Sequence, residues 1–165
     1  MLFKKKEQKK YELTSDFVEL FDGRKLFRIK ALVAIEKYGV SVGDLGGYIE
    51  KEENLCHDGD AWVYGNAEVY GNARVSGNAE VSGNARVYGD ADYMYIHGLG
   101  TVHRTTTAFK CKDGIIRISC GCFYGTIEEF RKQVDDTREG KVVKEYLAFA
   151  DLLEIYFEID KEKEK

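Results

Sequence analysis

Residues 59–93 read GDAWVY, GNAEVY, GNARVS, GNAEVS, GNARVY and GDADY, a unit that returns every six residues. A fixed short period is the mark of a repeat architecture, so this stretch decides the fold question first. Glycine opens each unit, at 59, 65, 71, 77, 83 and 89, and Asn or Asp follows it. Such residues tolerate a left-handed backbone, so each Gly-Asn reads as a corner. Either Gly71 and Gly77 or Asn72 and Asn78 carry the positive φ. Ala at 61, 67, 73, 79 and 85 lies two residues before Val at 63, 69, 75, 81 and 87. On a pleated strand that spacing puts both side chains on one face. Each unit is therefore a corner and a short strand with an inward Ala and an inward Val.

An aliphatic residue paired with a small residue four positions on, as in Val63 with Ala67 and Val69 with Ala73, resembles the hexapeptide-repeat, left-handed parallel β-helix family. This chain departs from that family's commonest pattern by placing Tyr or Ser after the aliphatic residue. In that family three hexads make one triangular coil of about 18 residues, and strands of successive coils lie about 4.8 Å apart. The charges agree with that register. Glu68 falls over Arg86 and Arg74 over Asp92, opposite in sign as cross-strand neighbours should be. Tyr70 falls over Tyr88. The phase runs back through Leu45, Gly47, Ile49, Asn54 and Leu55, and forward to Leu99. The expected fold is mainly β: a short left-handed parallel β-helix of about three 18-residue triangular coils over residues 41–100. A column of Ala and Val fills itself, so function belongs on an outer face, at an end, or between subunits.

Residues 1–40 are expected to be a tail and a β-hairpin turning at Asp22-Gly23, which caps the first coil. Residues 101–160 read as a second hairpin, turning at Asp113-Gly114, and two α-helices. With a two-residue turn there, Cys111 would face Ile116 and Thr107 would face Cys120. Thr126 and Glu129 form a capping box for the first helix, followed by Ile127, Phe130 and Val134 at helical spacing. The second helix carries apolar residues on nearly every side, which implies contacts on more than one side. The expected assembly is a homo-oligomer, dimer or trimer, with Tyr146, Phe149, Leu153, Tyr156 and Phe157 in the interface. Residues 161–165 are expected to be a disordered tail.

The 165 residues suit one compact unit, and the net charge of −4 gives no support for nucleic-acid binding. Lys4, Lys5, Lys6, Lys9 and Lys10 read as a solvated, frayed terminus. No apolar run is long enough for a membrane span or a signal peptide. Cys56, Cys111, Cys120 and Cys122 lack the spacing of a secreted disulfide framework, so a cytoplasmic location is expected. There is no proline, which suits ladders and helices that use every backbone donor.

Transferases of the hexapeptide-repeat family use a His as general base in a cleft between subunits, often beside an inserted loop. His57, His97 and His103 are available here, but the hexads carry no evident inserted loop. The cysteines do not converge, so no metal or cofactor is expected. Trp62, Tyr64, Tyr70 and Tyr88 stand at outward or corner positions with Arg74 and Arg86. Two readings stand for the aromatics, a partner-binding face or corners covered by the flanking helices.

The segment GDLGGYIE (43–50), the Gly-Asn-Ala repeats, then GCFYGTIEEF (121–130) and a helical tail resemble a group of small phage- and prophage-encoded hexapeptide-repeat proteins, commonly labelled transferases. The resemblance implies a phage accessory protein in the host bacterial cytoplasm. On that resemblance it is expected to bind and inhibit or sequester a host factor, for example as an anti-defence inhibitor of the anti-CRISPR type. The alternatives are an acyl- or nucleotidyl-type transferase, which the repeat suggests by fold analogy alone, and a self-assembling structural β-helix, which caps would block. The partner-binding residues expected are Trp62, Tyr64, Tyr70, Arg74, Arg86 and Tyr88.

Overall fold

The computed structural model describes residues 8–160. The basic residues Lys4, Lys5 and Lys6 and the tail 161–165 lie outside the described residues. A hairpin opens the fold, β1 (Tyr11–Glu19) against β2 (Lys25–Ala31), with a register shift between Leu13 and Phe17. Next come β3 (Leu45–Ile49) and four two-residue strands: β4 (Trp62–Val63), β5 (Glu68–Val69), β6 (Glu80–Val81) and β7 (Arg86–Val87). An antiparallel set follows: β8 (Tyr93–Leu99), β9 (Arg104–Lys110), β10 (Ile116–Cys120) and β11 (Phe123–Thr126). Helices α1 (Ile127–Thr137) and α2 (Lys141–Tyr156) close the chain.

This corrects the mainly-β left-handed β-helix expected from the repeat. The chain is a mixed α/β fold with three separate sheets, in the orders β1-β2-β3-β5-β7, β4-β6 and β11-β10-β9-β8, and two helices. The physical reason is the size of the hexads. Their strands are two residues long, and the column they bury is narrow. The chain completes its core with long antiparallel strands and amphipathic helices instead. The second hairpin is correspondingly two strands of a four-stranded sheet. Its turn is longer than two residues, with the Cys111 N–H donating to the Ile115 carbonyl, so Thr106 rather than Thr107 faces Cys120.

Inside the hexads, residues 18 apart do pair: Trp62 with Glu80, Val63 with Val81, Glu68 with Arg86 and Val69 with Val87. Ala67, Val69, Ala73, Val75, Ala79, Val81, Ala85 and Val87 are all buried. Glycine carries the corner, with φ of +63 at Gly71 and +65 at Gly77. The phase differs at both ends. Tyr48 pairs with Glu68 and Leu55 with Val75, both 20 residues apart, because two extra residues enter between Leu55 and Ala61. Ile49 therefore stacks on Val69, in the Val slot and not the Ala slot. Leu99 belongs to β8, which pairs antiparallel with β9 and ends the parallel ladder after Val87.

The hairpin covers one end of the ladder, with β2 antiparallel to β3. The four-stranded sheet closes the other. Thr107 Oγ1 accepts from the Glu80 N–H at 3.1 Å, and the Lys112 N–H donates to the Asn84 carbonyl at 3.0 Å. Strand β9 then separates two cores. Phe109 joins the cluster that holds Tyr11, Trp62 and the hexad column. Ala108 joins Ile118, Phe130, Tyr146, Phe149 and Leu153 beneath the helices. Alternate residues of a strand face opposite ways, so one strand serves both. Among the described residues no helix is long and apolar enough to cross a membrane.

Candidate functional site

The tip of the first hairpin folds over the outward face of β5 and β7 and leaves a groove of about 400 Å³. Asp22-Gly23 makes the turn, with Gly23 at φ +88 and the Gly23 N–H donating to the Leu20 carbonyl at 2.9 Å. That turn leaves the whole Phe21 ring in solvent. Across the groove stand Tyr70 and Tyr88, one above the other with ring centroids 5.8 Å apart. The 18-residue register places them so. Tyr88 is mostly exposed, and burial of Tyr70 raises its hydroxyl above the ordinary range.

The charges between these rings are held in place. Arg24 Nε lies 3.2 Å from Asp22 Oδ2 and Arg24 Nη1 lies 3.8 Å from Glu50 Oε2, with the guanidinium carbon 5.7 Å from the Tyr70 ring centre. Glu50 Oε2 also accepts from the Gly71 N–H at 2.8 Å. Glu68, the buried carboxylate of the groove, holds Arg86 at 3.1 Å and also pairs with Lys112. The result is a partly exposed aromatic pair, one fully exposed ring and guanidinium groups whose orientation is set before any partner arrives. Aromatic and Arg side chains of this kind dominate interface energetics.

Of the six expected partner-binding residues, the structure brings Tyr70, Arg86 and Tyr88 into this groove. Arg74 is exposed elsewhere, with Nη2 3.8 Å from Cys56 Sγ. Trp62 and Tyr64 are corrections. Trp62 is buried edge-on to Tyr11, ring centroids 6.4 Å apart, because the N-terminal strand covers its face. Tyr64 is half-buried, its hydroxyl 3.3 Å from both Glu80 Oε1 and the Tyr38 carbonyl. Phe21 and Arg24 were not expected. The Asp22-Gly23 turn was the available signal, since a tight turn exposes its flanking residues.

The residues expected in an oligomer interface are also largely spent within the chain. Tyr146, Phe149 and Leu153 are buried under α1 and the sheet. The Tyr156 hydroxyl donates to the Tyr93 carbonyl at 3.2 Å, and Phe157 packs on the same core. The exposed large apolar residues here are Leu152 and Ile155 on α2 and Ile159 just beyond its end.

The histidines serve separate structural partners. His57 Nδ1 accepts from the Lys10 N–H at 3.1 Å, its ring stacks on Tyr11 at 4.3 Å, and it sits in the stretch that holds the two extra residues. His97 Nδ1 lies 2.8 Å from Thr105 Oγ1, and His103 Nδ1 lies 3.1 Å from the Gly98 carbonyl. All four cysteines are free thiols, and among the described residues no group of three or more His, Cys, Asp or Glu side chains is placed to hold a metal. No protein-family model matches this chain, and no curated protein matches it.

Proposed function

We propose that the chain is a non-enzymatic accessory protein of phage or prophage origin that acts in the bacterial cytoplasm by binding a host protein stoichiometrically and blocking it. The observation that carries this reading is the fully exposed Phe21 ring beside the Tyr70–Tyr88 pair, in one groove with Arg24 and Arg86. Exposed aromatics grouped with arginines mark interaction surfaces. The origin and the host target rest on the sequence resemblance, and the charge of −4 directs the reading to a protein partner over nucleic acid.

The test is capture from a host lysate on the immobilised full chain, beside a Phe21→Ala, Tyr88→Ala double variant. One host protein should be retained near one-to-one by the wild type and lost at least about tenfold by the double variant. The variant should melt like the wild type, because both side chains are largely outside the core. Equal retention by both proteins sinks the groove as the binding surface. Acyl transfer from a coenzyme A thioester that disappears on replacing His57 or His97 sinks the non-enzymatic reading altogether.

A further inference from the structure

A second cleft, of about 420 Å³, opens where three parts of the fold meet. The 3-10 turn Glu36–Tyr38 supplies Lys37, strand β6 supplies Glu80, the turn before β9 supplies His103 and the first residue of β9 is Arg104. We propose that this cleft binds a small phosphate-bearing anion through Lys37, His103 and Arg104.

The first ground is the state of the cations. Arg24, Arg28, Arg86, Arg117 and Arg131 each hold a carboxylate of the chain. Among the described residues no carboxylate lies within ion-pair distance of Arg104 or Lys37, as is also true of Arg74 and Arg138, and the Lys37 ammonium stands 5.3 Å from the Tyr38 ring centre. Asp135, Asp136 and Glu139 border an adjoining cleft with Arg104, yet none reaches ion-pair distance. A half-buried guanidinium has five N–H donors in a fixed fork that matches phosphate oxygens. A phosphate in the cleft would meet that fork with its donors engaged by no described residue.

The second ground is how the cleft is built. The Arg104 guanidinium lies directly over Gly121, where a Cβ would collide with Nη1. His103 is one of two described non-glycine residues with positive φ, at +50. Its Nδ1–H donates to the Gly98 carbonyl at 3.1 Å, so Nε2 is the ring nitrogen left for a ligand. That backbone conformation belongs to the turn between β8 and β9 and sets where the ring stands. Glu80 is the one carboxylate among the lining residues, and its Oε1 lies 3.3 Å from the Tyr64 hydroxyl. Lys37 and Arg104 are the two cationic groups of the cleft, a match for a phosphate dianion. The volume leaves room for an organic group beside the phosphate.

Calorimetric titration of the full chain with inorganic phosphate, glycerol 2-phosphate and acetate tests this. Both phosphates should bind, about tenfold or more tighter than acetate, with the ester at least as tight as the inorganic ion. Arg104→Gln should weaken both by about tenfold. Because Arg104 packs on Gly121, Lys37→Gln is the second arm. Lys37 is exposed and outside both cores, and its loss should weaken phosphate by about threefold with an unchanged melting temperature. Absence of binding by either phosphate at millimolar concentration overturns the proposal. So does binding that neither variant alters, or acetate binding equal to that of phosphate.

Discussion

At the scale of single residues, the hexad corners separate backbone strain from packing. Gly65 and Gly77 have similar φ, +56 and +65, but different surroundings. A Cβ at Gly65 meets open space, whereas one at Gly77 meets the Tyr95 hydroxyl. Gly65→Ala should therefore cost the left-handed backbone term alone, about 1–2 kcal/mol. Gly77→Ala should cost at least about 1 kcal/mol more, because Tyr95 must also move. Urea denaturation of both variants checks this, and equal losses would mean that Tyr95 does not lean on the corner. The Gly-Asn pattern revealed the corners because positive φ is a local property. It carried no word of Tyr95, which comes from a different sheet.

At the scale of elements, the hairpin docks through its first strand. Lys10 is buried beside Tyr11, with Nζ donating to the Ala61 carbonyl at 2.7 Å and the Gly59 carbonyl at 3.3 Å. Burial pushes its amine down from 10.5 to about 8, against the partial opposition of Cys56, Asp60 and Asp58. Between those values the unfolded chain holds a proton that the folded chain has released. Stability should thus rise with pH across that window, by up to about 1.4 kcal/mol per pH unit. Burial raises the Tyr11 and Tyr64 hydroxyls, so above about pH 10 the unfolded chain loses protons that the folded chain keeps, and stability falls again. Denaturation midpoints should climb from about pH 8 to 9.5 in the wild type and stay flat in Lys10→Met. An equal climb in the variant would place its origin elsewhere. The hairpin itself was legible from Asp22-Gly23 and the flanking apolar residues. The capping box was too: Thr126 Oγ1 accepts from the Glu129 N–H at 3.2 Å, and Glu129 Oε2 from the Thr126 N–H at 2.8 Å. That β1 would bury Trp62 was not legible, since docking of one element on another leaves no local pattern.

At the scale of the whole molecule, β9 couples the two cores, with Phe109 on one side and Ala108 on the other. The two halves should unfold together. Phe149→Ala empties part of the helical core and should cost about 3–5 kcal/mol. Trp62, the single tryptophan, reports on the opposite core. Its fluorescence should change at the same denaturant concentration as the helical circular dichroism, in wild type and variant alike. Separate transitions would mean that the sheet does not transmit packing.

The burial of the Ala-Val column, the glycine corners, the 18-residue pairing and both helices were written in the chain, because each follows from side-chain periodicity over a few residues. The mixed α/β architecture was decided only in three dimensions. Two extra residues near His57 shifted the phase of the first repeats. Tyr93–Leu99 left the repeat to pair with β9. The helices spent Tyr146, Phe149 and Leu153 on their own sheet. The groove is of the same kind. Tyr70 and Tyr88 could be placed one above the other from their spacing, but Phe21 and Arg24 reach them from 46 to 67 residues away along the chain, across a contact that only the folded hairpin makes.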